Sequence, residues 1–221
     1  MITAGDALTQ APADRPPPFQ PEVNRAMTDV IDTLAGTAPG SALDSIRARR
    51  PAARTHAQAS HDALLLPAEP GDVGLAERFA VAAYVAGLHR APEALGHYEA
   101  GLRQHGGDAL ADTVARAAAE TSAEGPRGHF PAGPLSAEDS AAPAFALSAA
   151  TADALGARLA AALAYAHFLV FHPRDASPER FPPLQAAGWS TDAVVTLSQL
   201  VAFLTFQIRV AAGLRVLAAT P

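Results

Sequence analysis

Four side chains in the first half of the sequence are of the types that move protons. They are Glu77, Tyr84, His89 and His97, all within "ERFAVAAYVAGLHRAPEALGHYEAGL", residues 77–102. A carboxyl group set among apolar residues resists ionisation, and an imidazolium nearby opposes that resistance. Such a pair can hold and pass a proton near neutral pH, as general acid–base catalysis requires, with a tyrosine hydroxyl as a further donor. Spacing constrains the idea. On an ideal helix Val81, Tyr84 and Leu88 share the face of Glu77, whereas His89 lies about 120° away. Only a break after Leu88 could return His89 or His97 to the acid. The competing reading makes Glu77 a first-turn carboxylate that complements the helix dipole, and the two histidines helix-end hydrogen bonders or surface rings.

Composition removes other chemistries. The chain has 221 residues, no cysteine and no lysine. Thiolate nucleophiles, disulfides, cysteine-ligated zinc and Schiff bases are therefore excluded. The net charge is -6 and the 16 cationic residues, all arginine, are scattered, so a nucleic-acid partner is not expected. His167 and His172 are five apart, and no HxxxH or HExxH spacing occurs. Neither a metal site nor a cofactor is expected.

The elements that must position these groups read as helices. Hydrophobic residues make up 49% of the chain, enough for a sizeable core. "SALDSIRARR" opens with a serine cap and Asp44 at the third helical position, and Pro51 begins the next helix, to Leu66. Gly74 to Leu88 forms a helix, a short break follows, and Pro92 opens another to about Gln104. "HGGD" is a turn before a helix over 109–121. Residues 122–145 carry four prolines and three glycines without hydrophobic period, and read as a long loop wrapped on the core by Phe130, Leu135 and Phe145. Ala149 to Phe171 is an apolar helix stopped by Pro173. A short helix opens at Pro178 and ends at Gly188, and Ser190 or Thr191 caps the last one, to about Leu217. Strand signals are nearly absent, so the fold class is all-α.

That last helix is apolar almost all round, which places it in a core or against another subunit, and a homo-oligomer is expected. Arg209 within it must snorkel or meet a carboxylate across helices or subunits. Its longest uncharged apolar stretch, Ala193 to Ile208, is shorter than the roughly 18 residues of a membrane span. Residues 1–22 lack the pattern of a secretory signal and read as a flexible Pro-rich arm preceding a single domain over 23–221. A cytoplasmic protein with no membrane partner is expected.

Two stretches carry a family resemblance. The helix from Glu77 with the break at "HRAPEALGHY" resembles the central motif of the AhpD-like and carboxymuconolactone decarboxylase superfamily. "LAYAHFLVFHPRDASPERFPPLQAAGWSTDAVVTLSQLVAFLTFQIRVAAGL", residues 163–214, resembles the C-terminal part of its peroxidase-related branch: a helix, a short helix, a Gly-aromatic-Ser turn at Gly188, Trp189 and Ser190, and a long helix ending in Arg209, Gly213 and Leu214. The resemblance implies an AhpD-like multi-helix bundle. In thiol-dependent members a glutamate, two cysteines and a histidine do the chemistry. Here the glutamate falls on Glu77, the first cysteine on His89, the second on Pro92 and the histidine on Gly96, one place before His97. Disulfide exchange is therefore unavailable.

Two functional readings follow from the resemblance. One is a thiol-independent acid–base enzyme acting on a small organic acid, lactone or hydroperoxide, with Glu77 as base or relay, His89 or His97 as partner and Tyr84 as donor. The other is a non-catalytic oligomer that binds a small-molecule ligand or assists a cysteine-containing paralogue.

Overall fold

A computed structural model describes residues 29–220, and the arm expected over 1–22 lies outside them. Among the described residues the helices are α1 Val30–Ala35, α2 Ala42–Ala48, α3 Pro51–Leu65, α4 Leu75–Leu88, α5 Pro92–Gly106, α6 Asp108–Thr121, α7 Ala149–Phe171, α8 Pro182–Ala186 and α9 Thr191–Ala219. The β structure in this region is an isolated antiparallel bridge between Gly128 and Ser140. The fold is all-α.

Helix α4 lies at the centre. Ten of its 14 residues are buried, because Phe79, Val81, Val85 and Leu88 are joined by alanines on the remaining faces and leave no polar stripe to wet. It packs against α5, α6, α7 and α9. Close approach needs small residues. A Cβ on Gly87 would lie 2.8 Å from that of Ala118 on α6, and one on Gly101 of α5 would collide with the Phe79 ring.

The helix starts follow the expected chemistry. Ser41 Oγ accepts the Asp44 N–H at 3.2 Å, while Asp44 reaches back to the Gly40 N–H at 2.9 Å, one residue beyond a standard capping box. Ser190, not Thr191, caps α9 by accepting the Ala193 N–H at 3.1 Å. Pro92 opens α5 at its first turn. Pro178 opens only a 3-10 turn, and the short helix begins afterwards at Pro182.

Several expectations need correction. Helix α7 is not continuous: Gly156, at φ 71 and ψ 161, breaks it. Of the loop anchors, Phe145 packs on the core and meets the His167 ring at 5.5 Å, and Phe130 stacks on the Arg174 guanidinium at 4.0 Å. Leu135 holds nothing, being 53% exposed. Helix α9 continues beyond Ile208 through Arg209 and Arg215, and both α7 and α9 pass for membrane spans by length and composition, although in α7 that stretch includes the Gly156 break. In the folded chain 50% of the most apolar window of α7 and 33% of that of α9 are buried within the protein.

Helix α1 gave no sign in the sequence. It is capped by Asp29, whose Oδ1 accepts the Asp32 N–H at 2.9 Å. Both carboxylates are buried, and Arg47 of α2 and Arg54 of α3 pair with them; Arg54 Nη2 stands 2.7 Å from Asp32 Oδ2 and 2.7 Å from Asp44 Oδ1. Such charges survive burial only when paired, so this knot fixes the first three helices to one another.

Candidate functional site

Glu77 is the third residue of α4, and its two oxygens are both committed. Oε2 accepts the Gly74 N–H at 3.0 Å, the carboxylate half of a capping box, and Oε1 accepts Arg158 Nε at 2.7 Å. Arg158 lies on α7 just past the Gly156 break, and it is saturated in turn. Its Nη1 donates to Gly188 O at 2.5 Å, its Nη2 to Asp72 O at 2.7 Å, and its own carbonyl accepts Trp189 Nε1–H at 2.8 Å. The guanidinium rests 4.0 Å over the Trp189 ring, and Ser190 Oγ donates to Asp72 at 2.6 Å. The glutamate and the Gly-Trp-Ser turn thus converge on one arginine. This arrangement clamps the start of α4 to α7 and to the cap of α9, and each Glu77 carboxylate oxygen already accepts one hydrogen bond within it.

Tyr84 is fully buried, with its hydroxyl 2.7 Å from Thr121 Oγ1, which itself donates to Ala117 O at 2.8 Å. Burial pushes the phenol above its usual range. It serves the α4–α6 contact. His97, on α5, is half-buried with its ring 6.1 Å from that of His61 and 5.0 Å from that of Tyr98. Burial, then the neighbouring His61, lowers its proton affinity. Among the described residues no hydrogen bond or ion pair joins Glu77 to Tyr84, His89 or His97. The break after Leu88 does not fold back: Glu77 and His89 stand at opposite ends of α4, roughly 18 Å apart by helical rise.

His89 instead faces a cleft of about 420 Å³ between the C-terminal ends of α4 and α7, the segment 123–126 and Arg209 of α9. Its Nε2 is 3.2 Å from Thr205 Oγ1 of α9. Burial, aided by the Arg209 charge, depresses its pKa to about 4, so the ring is neutral at pH 7. A neutral imidazole can donate or accept a hydrogen bond there, but its proton affinity is poorly matched to a base working near pH 7. Arg209 snorkels to the surface at the cleft and forms no ion pair among the described residues.

The residue after His89 is unusual. Arg90 turns the chain at φ 52, with Arg90 N donating to Gly87 O at 2.9 Å and Ala91 N to Ala86 O at 3.1 Å. Closure of α4 by a left-handed residue normally uses glycine, and an L side chain there costs about 1–2 kcal/mol. Neither Arg90 nor Arg158 was singled out by the sequence. For Arg158 the available signal was a lone cation in an alanine-rich apolar helix, the same signal that marked Arg209. Among the described residues no group of three metal-ligating side chains converges.

No family model matches the chain, and no curated protein matches it.

Proposed function

We propose that the chain is an AhpD-like, thiol-free protein that binds a small organic molecule in the cleft at the end of α4, as an oligomeric ligand-binding module of the cytoplasm. The carrying observation is the cleft with His89 in its wall. By the resemblance of the α4 segment, His89 stands where thiol-dependent members keep their first cysteine, so the family's reactive end of the helix would remain a ligand site with its redox chemistry gone. The closed Glu77–Arg158 pair favours binding over the acid–base alternative, since it withholds the only carboxylate that reading had enlisted. Its size also suits a small ligand, falling within the roughly 300–1,000 Å³ of typical sites.

Self-association is supported by α9, where Val195, Phe206, Val216 and Leu217 are all about half exposed or more. A second copy, or a cysteine-containing paralogue, would cover them.

The test is histidine-labelled NMR with a panel of small carboxylic acids, their amides and lactones. Saturable shifts of the His89 ring, assigned by the signal missing from His89→Ala, are expected, with weaker ligand binding by that variant. Shifts of the His97 ring alone, or none across the panel, would dismiss the cleft as the site.

A further inference from the structure

Seven other described positions have left-handed backbone: Gly36, Gly40, Gly71, Gly107, Gly128, Gly156 and Gly188. Every one is glycine, the residue that reaches this conformation without strain. Arg90 alone keeps a side chain there, at φ 52. The turn that ends α4 needs only the backbone of this residue, whose N–H bonds Gly87 O. Closing the helix therefore gives no reason for a guanidinium at this position. Arg90 lines the cleft, is exposed, and forms no ion pair among the described residues. Arg209 shares the same cleft and the same lack of a carboxylate partner.

The remaining charges leave these two cations in excess. Glu124 lies in the wall, but Arg127 stands 4.0 Å from it. The helix ends aimed at the cleft are capped: His89 N bonds Val85 O, Ala91 N bonds Ala86 O, and Arg127 N bonds Phe171 O at 2.7 Å. Their residual negative dipole is only a fraction of a charge each. Leu88, Val170 and Phe171 also line the cleft, each mostly buried and offering it a small apolar area.

We infer that the cleft is a carboxylate site, in which Arg90 and Arg209 hold the anionic end of a small organic acid and the Leu88, Val170 and Phe171 wall takes its hydrocarbon body. A guanidinium matches a carboxylate through two parallel N–H donors, and an apolar wall favours a hydrocarbon acid over a polyanion such as free phosphate. Left neutral, His89 adds a hydrogen-bonding group without a third charge. The inference rests on the ligand-binding reading above and specifies its ligand class.

Matched probes separate the two. Isothermal titration of the full-length protein would compare hexanoate with hexanamide, phenylacetate with phenylacetamide, and inorganic phosphate. Each acid is expected to bind roughly tenfold or more tightly than its amide, with phosphate weaker still. Arg90→Gly, which relieves the backbone, should keep or raise the melting temperature yet lose that preference, and Arg209→Gln should lose it too. Amides binding as well as acids would overturn the carboxylate assignment and leave the ligand site standing. Phosphate binding better than either acid would overturn it as well. Binding of no organic probe up to about ten millimolar would overturn both readings. An Arg90→Gly protein that keeps the full acid preference would remove Arg90 from the site.

Discussion

Glu77 and Arg158, 81 positions apart in sequence, meet at 2.7 Å and lock the first turn of α4 to α7. The pair is partly solvated, at 24% and 36% side-chain exposure, so its charge attraction alone is worth little. Its weight comes from what Arg158 also holds, the carbonyls of Asp72 and Gly188 and the face of Trp189.

Removing that hub should cost more than removing the acid. Arg158→Ala is expected to lower unfolding free energy by about 1–2 kcal/mol, by losing hydrogen bonds to two solvent-accessible carbonyls and uncovering the buried indole. Glu77→Gln should cost about 0.5–1 kcal/mol and leave cleft binding unchanged. Urea melts of both variants, with ligand titrations of the second, check this; a Glu77→Gln protein that folds normally and loses ligand would restore the carboxylate to the site.

Acid should destabilise the fold through neutral histidines. Burial holds both His89 and His167 to about 4, with Arg209 adding to the effect at His89, against 6.5 when unfolded. The unfolded chain therefore takes up protons first as pH falls. Stability is fully present above about pH 6.5 and is lost as pH drops toward 4, by up to about 1.4 kcal/mol per pH unit for a ring as buried as His167. Urea midpoints between pH 7 and 4.5 should slide down accordingly, and His167→Gln should flatten the slope. A flat wild-type profile would contradict the burial assigned to both rings.

The α4–α6 crossing should not tolerate a larger residue at Gly87. Since even a Cβ would stand 2.8 Å from Ala118, Gly87→Val is expected to cost about 1–3 kcal/mol by overpacking. Pairing it with Ala118→Gly should recover much of the loss, as a thermal denaturation cycle would show.

Helix α9 should carry the self-association. Phe206→Glu places a charge in the middle of its exposed apolar residues. Light scattering is expected to find a multiple of 22.6 kDa for the wild type and a single chain for the variant. A wild type already monomeric would leave that stripe to another partner.

The fold was legible where local rules decide it. Phe79, Val81, Val85 and Leu88 announced a buried α4, Pro92 the break and restart, and the Gly-Trp-Ser turn the start of α9. What escaped depends on distance or on backbone alone. Six residues at α1 are too few for a helical period to show, and the Arg47–Asp29 pairing that secures them is tertiary. The left-handed turn at Arg90 looks like any other arginine in sequence, and the Gly156 break is hidden in a run of helix formers. At the site, residue types drew attention to His89, which lines the cleft at the end of α4, whereas the partners of Glu77 are set by how α7 is laid across α4.

The break at Gly156 divides α7 into two hydrogen-bonded ladders, and the shorter piece before it is one too brief to be helical unaided. Glu120 of α6 supplies its anchor, accepting the Ser148 N–H at 2.9 Å and the hydroxyls of Ser148 and Thr151. Cooperativity is therefore expected to weaken at the glycine, with residues 149–155 exchanging their amide protons sooner than the later turns of α7 toward Phe171. Arg158 sits beyond that boundary, so the front of α7 can breathe without disturbing the clamp behind it.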